Sequence, residues 1–252
     1  MTNRELSDSF TTLVNSYANK TEFGNQNSVR DLTFNEYEKS LFLTEAQEDT
    51  VVGLYSGRNN YGQSFETVEE MRRNLESLVR SKILTEATVD FTDTSNPQRL
   101  LKEPSSGEMQ EEYFYKQPDD LLFIVYEQVK TASSPKSCWS DTYIKVYPVR
   151  HDEYNVIKEN PFRGTSRFKA LRLDAGNGYI EIISKFGVSQ YLIRYLSKPT
   201  PIVLEDLPDG LSINGVSEET ECILNSVLHQ VILEKAVMLA LRTRGINIQQ
   251  EK

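Results

Sequence analysis

Histidine is almost absent. The 252 residues hold two, His151 and His229, and neither stands in an HxxxH or HExxH spacing or beside a cysteine. That removes the usual signature of a zinc site, which needs several nitrogen or sulfur donors at short fixed spacings. Cysteine is equally scarce. Cys138 and Cys222 form no CxxC pair, so two free thiols in a reducing compartment is the favoured reading and one disulfide the alternative. No GxxxxGK[ST] loop and no GxSxG elbow occurs, and Gly176-Asn-Gly178 lacks the third glycine of a dinucleotide site. Long apolar runs are missing as well. The longest, 121–126, is strand length, and the first residues carry no apolar signal core. Neither a membrane span nor standard secretion is expected.

Positive charge is in the minority, with 28 Lys+Arg against 37 Asp+Glu and a net charge of −9. A protein that coats nucleic acid draws its affinity from cations on phosphates, so the balance argues against that class. What is present suffices for one or two ordinary domains. A chain of this length buries about 70% of its unfolded surface without help from disulfides or metal.

The order of elements reads helices, then strands, then a helix. Leu6, Phe10, Leu13, Val14 and Tyr17 recur at spacings of three and four, which predicts a short amphipathic helix. Thr33-Phe-Asn-Glu36 has the form of a capping box and opens a second helix, closed by Gly57 and the polar 59–62 segment. Thr67-Val-Glu-Glu70 has the same form and opens a third, striped with Met71, Leu75, Leu78 and Val79.

From about residue 85 the period changes to that of strands: 88–91, 121–126, 143–149, 170–173, 179–183 and 191–195. Asp174-Ala-Gly-Asn-Gly178 reads as a hairpin turn, so an antiparallel meander is expected over 140–196. Segments 92–117 and 130–136 read as loops. A last helix is expected with Glu218, Glu219 and Glu221 in its first turns, Arg242 and Arg244 in its last, and Gly245 as its stop. That helix is apolar on more than one side and therefore needs several packing partners. The fold class is α+β: a helical bundle of N-terminal and C-terminal helices carrying an inserted antiparallel β-rich region. The divisions are 1–84, 85–205, and 206–252 with a mobile 246–252 tail.

Charge is unevenly placed. Residues 142–198 carry +5, leaving −14 for the rest, and the densest basic stretch holds Arg163, Arg167, Lys169 and Arg172. A solvated strand face is the plain reading; docking to an acidic neighbour, or contact with phosphates, is the functional one. The acidic doublets Glu69-Glu70, Glu111-Glu112 and Asp119-Asp120 read as solvated faces or helix starts. His229 reads as a packed histidine, His151 as a solvated partner of Asp152, and Trp139 as a small-core anchor.

Several longer segments carry a resemblance. Tyr37-Glu-Lys-Ser-Leu-Phe-Leu-Thr-Glu-Ala-Gln-Glu48, Asn160-Pro-Phe-Arg-Gly164, Ala170-Leu-Arg-Leu-Asp174, Tyr179-Ile-Glu-Ile-Ile-Ser184 and Tyr191-Leu-Ile-Arg-Tyr-Leu-Ser-Lys-Pro199 belong to it. So do Pro201-Ile-Val-Leu204, Leu211-Ser-Ile-Asn-Gly215, Thr220-Glu-Cys-Ile-Leu224 and Leu228-His229. Together they resemble the virion structural proteins that form head–tail connector rings, or adaptors, in crAss-like bacteriophages. The likeness covers about 34–82 and 155–240.

The resemblance implies a podovirus adaptor-like fold and a closed homo-oligomeric ring of twelve copies in the virion neck. The ring would be assembled in the host cytoplasm, dock to the portal protein and to other neck or tail rings, and be threaded by the genomic DNA. It implies no catalysis and no cofactor. A ring needs two unlike, mating patches per chain. Phe34, Tyr37, Phe42 and Tyr55 are candidate subunit-interface residues, since interfaces favour aromatics; packing within one chain is the competing account of each. Arg163, Arg167, Lys169 and Arg172 are candidates for docking acidic neighbours. The alternative is a DNA-contacting packaging or ejection accessory protein using the same four cations.

Overall fold

Leu6, Phe10, Val14 and Ala18 follow one another every four residues along the first helix, α1 (Asn3–Thr21), and all four are buried. This fourfold spacing draws a single apolar ridge down the helix. The computed structural model containing it describes residues 1–21, 32–58, 64–87, 111–132, 141–158, 160–208 and 210–246. The expected strand at 88–91, the 59–62 turn, Cys138, Trp139 and the 247–252 tail lie outside the described residues.

Two units make up the chain. The first joins residues 1–78 to 198–252 and is helical; the second is the continuous stretch 79–197 and holds the sheet. In the helical unit, α2 (Glu36–Ser56) starts two residues later than Thr33-Phe-Asn-Glu36 suggests. Asn35 is the cap: its Oδ1 accepts the Glu38 N–H at 2.7 Å, and Glu38 Oε2 accepts the Asn35 N–H at 3.0 Å. Two overlapping capping boxes exist in the sequence, and asparagine is at least as good a cap as threonine. Asn35→Ala is expected to cost about 1 kcal/mol, read as a lower thermal midpoint, with Asn35→Ser retaining most of it. Gly57, at φ 77°, closes the helix.

The inward face of α2 is unusually polar. Ser40, Thr44 and Gln47 are buried there, and each bonds the backbone of 200–204. Ser40 Oγ accepts the Leu204 N–H at 3.0 Å; Thr44 Oγ1 accepts the Ile202 N–H at 3.0 Å and donates to the Ile202 carbonyl at 3.3 Å; Gln47 Nε2 donates to the Thr200 carbonyl at 2.7 Å. A helix rises about 6 Å in four residues and an extended chain about 6.6 Å in two, so the two repeats stay in step. Thr220 closes the far side of the segment, pairing with Val203 as an antiparallel bridge.

The last helix, α5 (Ser226–Thr243), packs against α2 and α1, which accounts for its wide apolar surface. It begins at the Asn225 cap, whose side chain accepts the Val227 N–H at 3.2 Å. Glu218, Glu219 and Glu221 therefore precede the helix; pairing of Thr220 with Val203 holds that stretch extended. At the other end the Gly245 N–H bonds the Arg242 carbonyl and the Ile246 N–H the Leu241 carbonyl, with Gly245 at φ 79°. This is a Schellman closure at the expected glycine. His229 is buried, with Nε2 3.1 Å from the Leu224 carbonyl and Nδ1 2.8 Å from the Met1 amine.

The third helix is much shorter than its apolar stripe suggests. Helix α3 (Glu69–Asn74) gives way to a 3-10 turn (Glu76–Leu78), and Val79 already belongs to a strand. Thr67 caps nothing in α3; its hydroxyl bonds the backbone of Ser64. Met71, Leu75 and Leu78 are buried as the stripe predicts, but strand pairing claims Val79.

The sheet unit contains β1 (Val79–Leu84), β2 (Glu111–Lys116), β3 (Leu121–Thr131), β4 (Tyr143–Pro148), β5 (Lys169–Gly176), β6 (Tyr179–Ser184) and β7 (Val188–Ser197) in the order β1-β7-β3-β4-β5-β6-β2. It is not the expected meander. β5 and β6 form the predicted hairpin, with Gly176, Asn177 and Gly178 all at positive φ. β7, however, lies between β1 and β3, and β4 runs parallel to β5. That parallel pair is joined through α4 (His151–Lys158), since parallel strands cannot be linked by a tight turn. Part of the expected 92–117 loop is strand β2, and Lys130 and Thr131 end β3.

The sheet curls until its two outer strands touch. Glu86, just past β1, bridges to Tyr115 of β2, and the Ala87 N–H bonds the Phe114 carbonyl at 2.7 Å. Every strand sends residues to one enclosed cluster, among them Leu84, Tyr115, Val129, Ile182 and Ile193. On the other face Leu171, Leu173 and Ile183 pack against Tyr154 of α4.

Candidate interaction surfaces

In the helical unit, three of the four candidate aromatics have ring partners within the chain. Phe34 meets Phe10 and Phe42 edge to face, each at 5.8 Å between centroids, and the Arg244 guanidinium lies 4.9 Å from the Phe34 ring. Tyr55 stacks obliquely on Phe65 at 6.1 Å. Phe34, Tyr37, Phe42 and Tyr55 are all half-buried, so each retains an outward edge.

In the sheet unit, two tight turns precede β5. The Asn160 side chain accepts the N–H groups of Phe162 and Arg163 at 2.9 and 3.2 Å, and the Gly164 N–H returns to the Asn160 carbonyl at 2.8 Å. Residues 166–169 form the second turn, closed by paired Ser166–Lys169 backbone bonds. Lys169 ties the two together, since its Nζ donates to the Arg163 carbonyl at 2.6 Å. The outcome is an aromatic and cationic face. Phe162 is 93% exposed and Phe168 58%. Arg167 covers the Phe168 ring at 4.7 Å, while Lys145 and Lys169 cover Tyr147 at 5.2 and 5.1 Å. Arg163, Arg167 and Lys169 are therefore brought together.

Arg172 is not with them. Alternation along β5 puts it on the side of Ala170, facing the enclosed cluster, and its side chain is only 13% exposed. Its Nη1 is 2.9 Å from Glu127 Oε1, and its Nε is 3.5 Å from Asp174 Oδ1. The other Glu127 oxygen accepts the Tyr191 hydroxyl at 2.6 Å. Burial pushes the Glu127 carboxyl above its ordinary value, against the opposing pull of Arg172 and the Tyr191 hydrogen bond. Burial, then the Glu127 charge, pushes the Tyr191 phenol up as well. This is an internal charged network, whose arginine is spoken for.

The helical unit carries a surface of different character. A shallow cleft of about 360 Å³ is lined by Glu69, Glu70, Arg73, Asn74, Asn225 and Val227. Val227 is 67% exposed, with exposed Val231 one turn further along α5 and exposed Ile223 just ahead of the helix. Arg73 is held by Glu69 at 2.8 Å.

Sequence reasoning found the cations and missed the aromatics between them and the apolar residues by the cleft. Asn160 two positions before Phe162 was the available signal, because an asparagine side chain bonds the backbone two residues on and so places Phe162 in a turn.

The two histidines and Cys222 each have partners within the chain. His151 Nε2 lies 2.8 Å from the Asp174 carbonyl, while Asp152 pairs with Arg150 at 2.8 Å instead of with His151. Cys222 is a free thiol donating to Gln47 Oε1 at 3.3 Å, and burial pushes it up. Among the described residues, no group of three or more His, Cys, Asp or Glu side chains is placed to hold a metal ion, and no helix is long and apolar enough to cross a membrane.

Comparison with known proteins yields one family model, described as phage tail ring protein 3/4, which matches residues 1–252. The chain is 45% identical to ring protein 3 of Bacteroides phage crAss001 over 242 residues, covering 96% of this chain and 95% of that one. It is 27% identical to ring protein 4/5 of the same phage over 238 residues, covering 90% and 91% respectively.

Proposed function

The chain belongs to the phage tail ring protein 3/4 family, and from that premise we propose that it is a ring-forming subunit of the virion neck, joining the portal to the tail around the path of the DNA. The match over the whole chain carries this reading. Twelve copies would close the ring. The protein acts by shape and surface charge, with no chemical step and no cofactor. Carboxylates outnumber cations by 37 to 28, and a passage lined by them lets DNA slide where arginines would grip its phosphates. The cationic face of the sheet unit would dock acidic surfaces of adjoining subunits, the portal or other rings. Electron microscopy of purified virions tests the assignment. Density for this chain is expected as an annulus in the neck; density in the capsid shell, or none, would overturn it.

A second reading has an observation of its own, the clustering of Arg163, Arg167 and Lys169 beside exposed aromatics. Direct DNA contact by that cluster predicts affinity for a short duplex that falls steeply with salt and drops when Arg167 and Lys169 become alanine. The structural reading predicts weak binding that this double substitution leaves unchanged, measurable by fluorescence anisotropy across a salt series.

A further inference from the structure

Resting on the ring reading, we propose that adjacent copies join by seating the Phe162 turn of one in the Val227 cleft of the next. A ring of identical chains closes through a heterologous contact, which requires two different patches that fit each other. The two surfaces described above meet that requirement in apolar character and in charge. Phe162 is the most exposed large apolar side chain among the described residues, yet it is not a loose tip. The Asn160 side chain holds its backbone, and the Lys169 ammonium fastens the carbonyl that follows it. A turn whose backbone is held before contact loses little freedom on binding, leaving the Phe162 ring as the part still to be ordered.

The cleft offers the converse. Val227 supplies an apolar floor, with exposed Val231 one turn further along α5, and Glu69, Glu70 and Arg73 supply a charged rim in which the carboxylates outnumber the cation. Arg163 follows the anchor directly and Arg167 lies in the adjoining turn over Phe168, so seating Phe162 on Val227 carries a cationic segment toward Glu70 and the Glu69–Arg73 pair. Residues 160–169 contain three cations and no acid. The opposite net signs favour the head-to-tail pairing and oppose the head-to-head contact, in which two cationic segments would face each other.

A disulfide-capture experiment tests the contact while leaving anchor and floor in place. In a full-length background with Cys138→Ser and Cys222→Ser, Pro161→Cys is made in one chain and Ser226→Cys in another; both positions are exposed. Under mild oxidation the mixture is expected to give a cross-linked dimer, at least about tenfold more abundant than with either chain alone. Adding Phe162→Ala, or Arg163→Glu with Arg167→Glu, to the Pro161→Cys chain is expected to cut the yield about tenfold or more. Urea unfolding of each variant checks that the fold is retained. A cross-link that survives both changes overturns the proposal. Absence of the cross-link, with wild-type annuli present in virions, overturns this contact and leaves the ring reading intact. Absence of both cross-link and annulus overturns the two together.

Discussion

Arg172→Met is expected to destabilise the sheet unit by about 3–5 kcal/mol at neutral pH, because it leaves the Glu127 carboxylate buried without its cation. Glu127 and Arg172 face the enclosed cluster 2.9 Å apart, and the remaining Glu127 oxygen has only the Tyr191 hydroxyl. The effect should depend on pH in a set direction. Burial already raises the Glu127 carboxyl above 4.5 in the presence of Arg172, and removing the cation raises it further. A folded-state value above the unfolded one means that the folded state binds more protons, so stability falls as pH rises through that interval. The variant should therefore regain stability on acidification toward 4.5 and lose it above. Urea titrations at several pH values read this directly, with the midpoint moving and the slope constant. Glu127→Gln combined with Arg172→Met should recover much of the loss, since the two neutral side chains no longer strand a charge. If Arg172→Met costs less than 1 kcal/mol and shows no pH dependence, the network is not closed in the way described.

Arg172 also shows where sequence reading fails. As one cation in a basic stretch, it cannot be told from Arg163 or Arg167 by composition. Alternation along β5 is what turns it inward, and the partner that neutralises it, Glu127, comes from a strand 45 residues away. No local signal encodes that pairing. The order of strands was hidden for a similar reason. The β5–β6 hairpin is announced by Gly176-Asn-Gly178, whereas the placement of β7 between β1 and β3 depends on contacts of long sequence separation. Local features with their own chemistry were legible: the ridge of α1, the glycine ends of α2 and α5, the apolar breadth of α5, and the α+β class. Boundaries were displaced where tertiary pairing competes, as at Val79, or where two caps overlap, as at Thr33 and Asn35. The surface aromatics at 162 and 168 went unread because a phenylalanine is ordinarily expected inside.

The second large effect concerns the polar face of α2. Thr44→Val keeps shape and volume but removes the one hydroxyl that both accepts from and donates to Ile202. Both backbone groups lie in the buried interior of the helical unit, and each left without a partner costs about 1–3 kcal/mol. Thr44→Ser should restore most of the stability, a rescue that a purely apolar role for the residue would not show. Adding Gln47→Leu should give less than the sum of the two single losses, because both side chains grip one segment and release by either loosens the other. Hydrogen exchange at the Ile202 and Leu204 amides offers a local readout, with protection falling at these sites before the helix amides change. Unchanged exchange at Ile202 in Thr44→Val would contradict the arrangement. The residues concerned, Ser40 to Gln47 and Thr200 to Leu204, fall in two stretches separated by some 150 positions, and their joining explains why a helix facing the interior should be so rich in hydroxyls.

Strands β1 and β7 are the first and last of the sheet unit, and they pair with each other, Val79 opposite Leu196. The polypeptide thus enters and leaves that unit by two lines lying side by side and laced together over six rungs. Any tug delivered to the sheet through the chain is divided between twin tethers. Neither can be stretched without drawing on its neighbour.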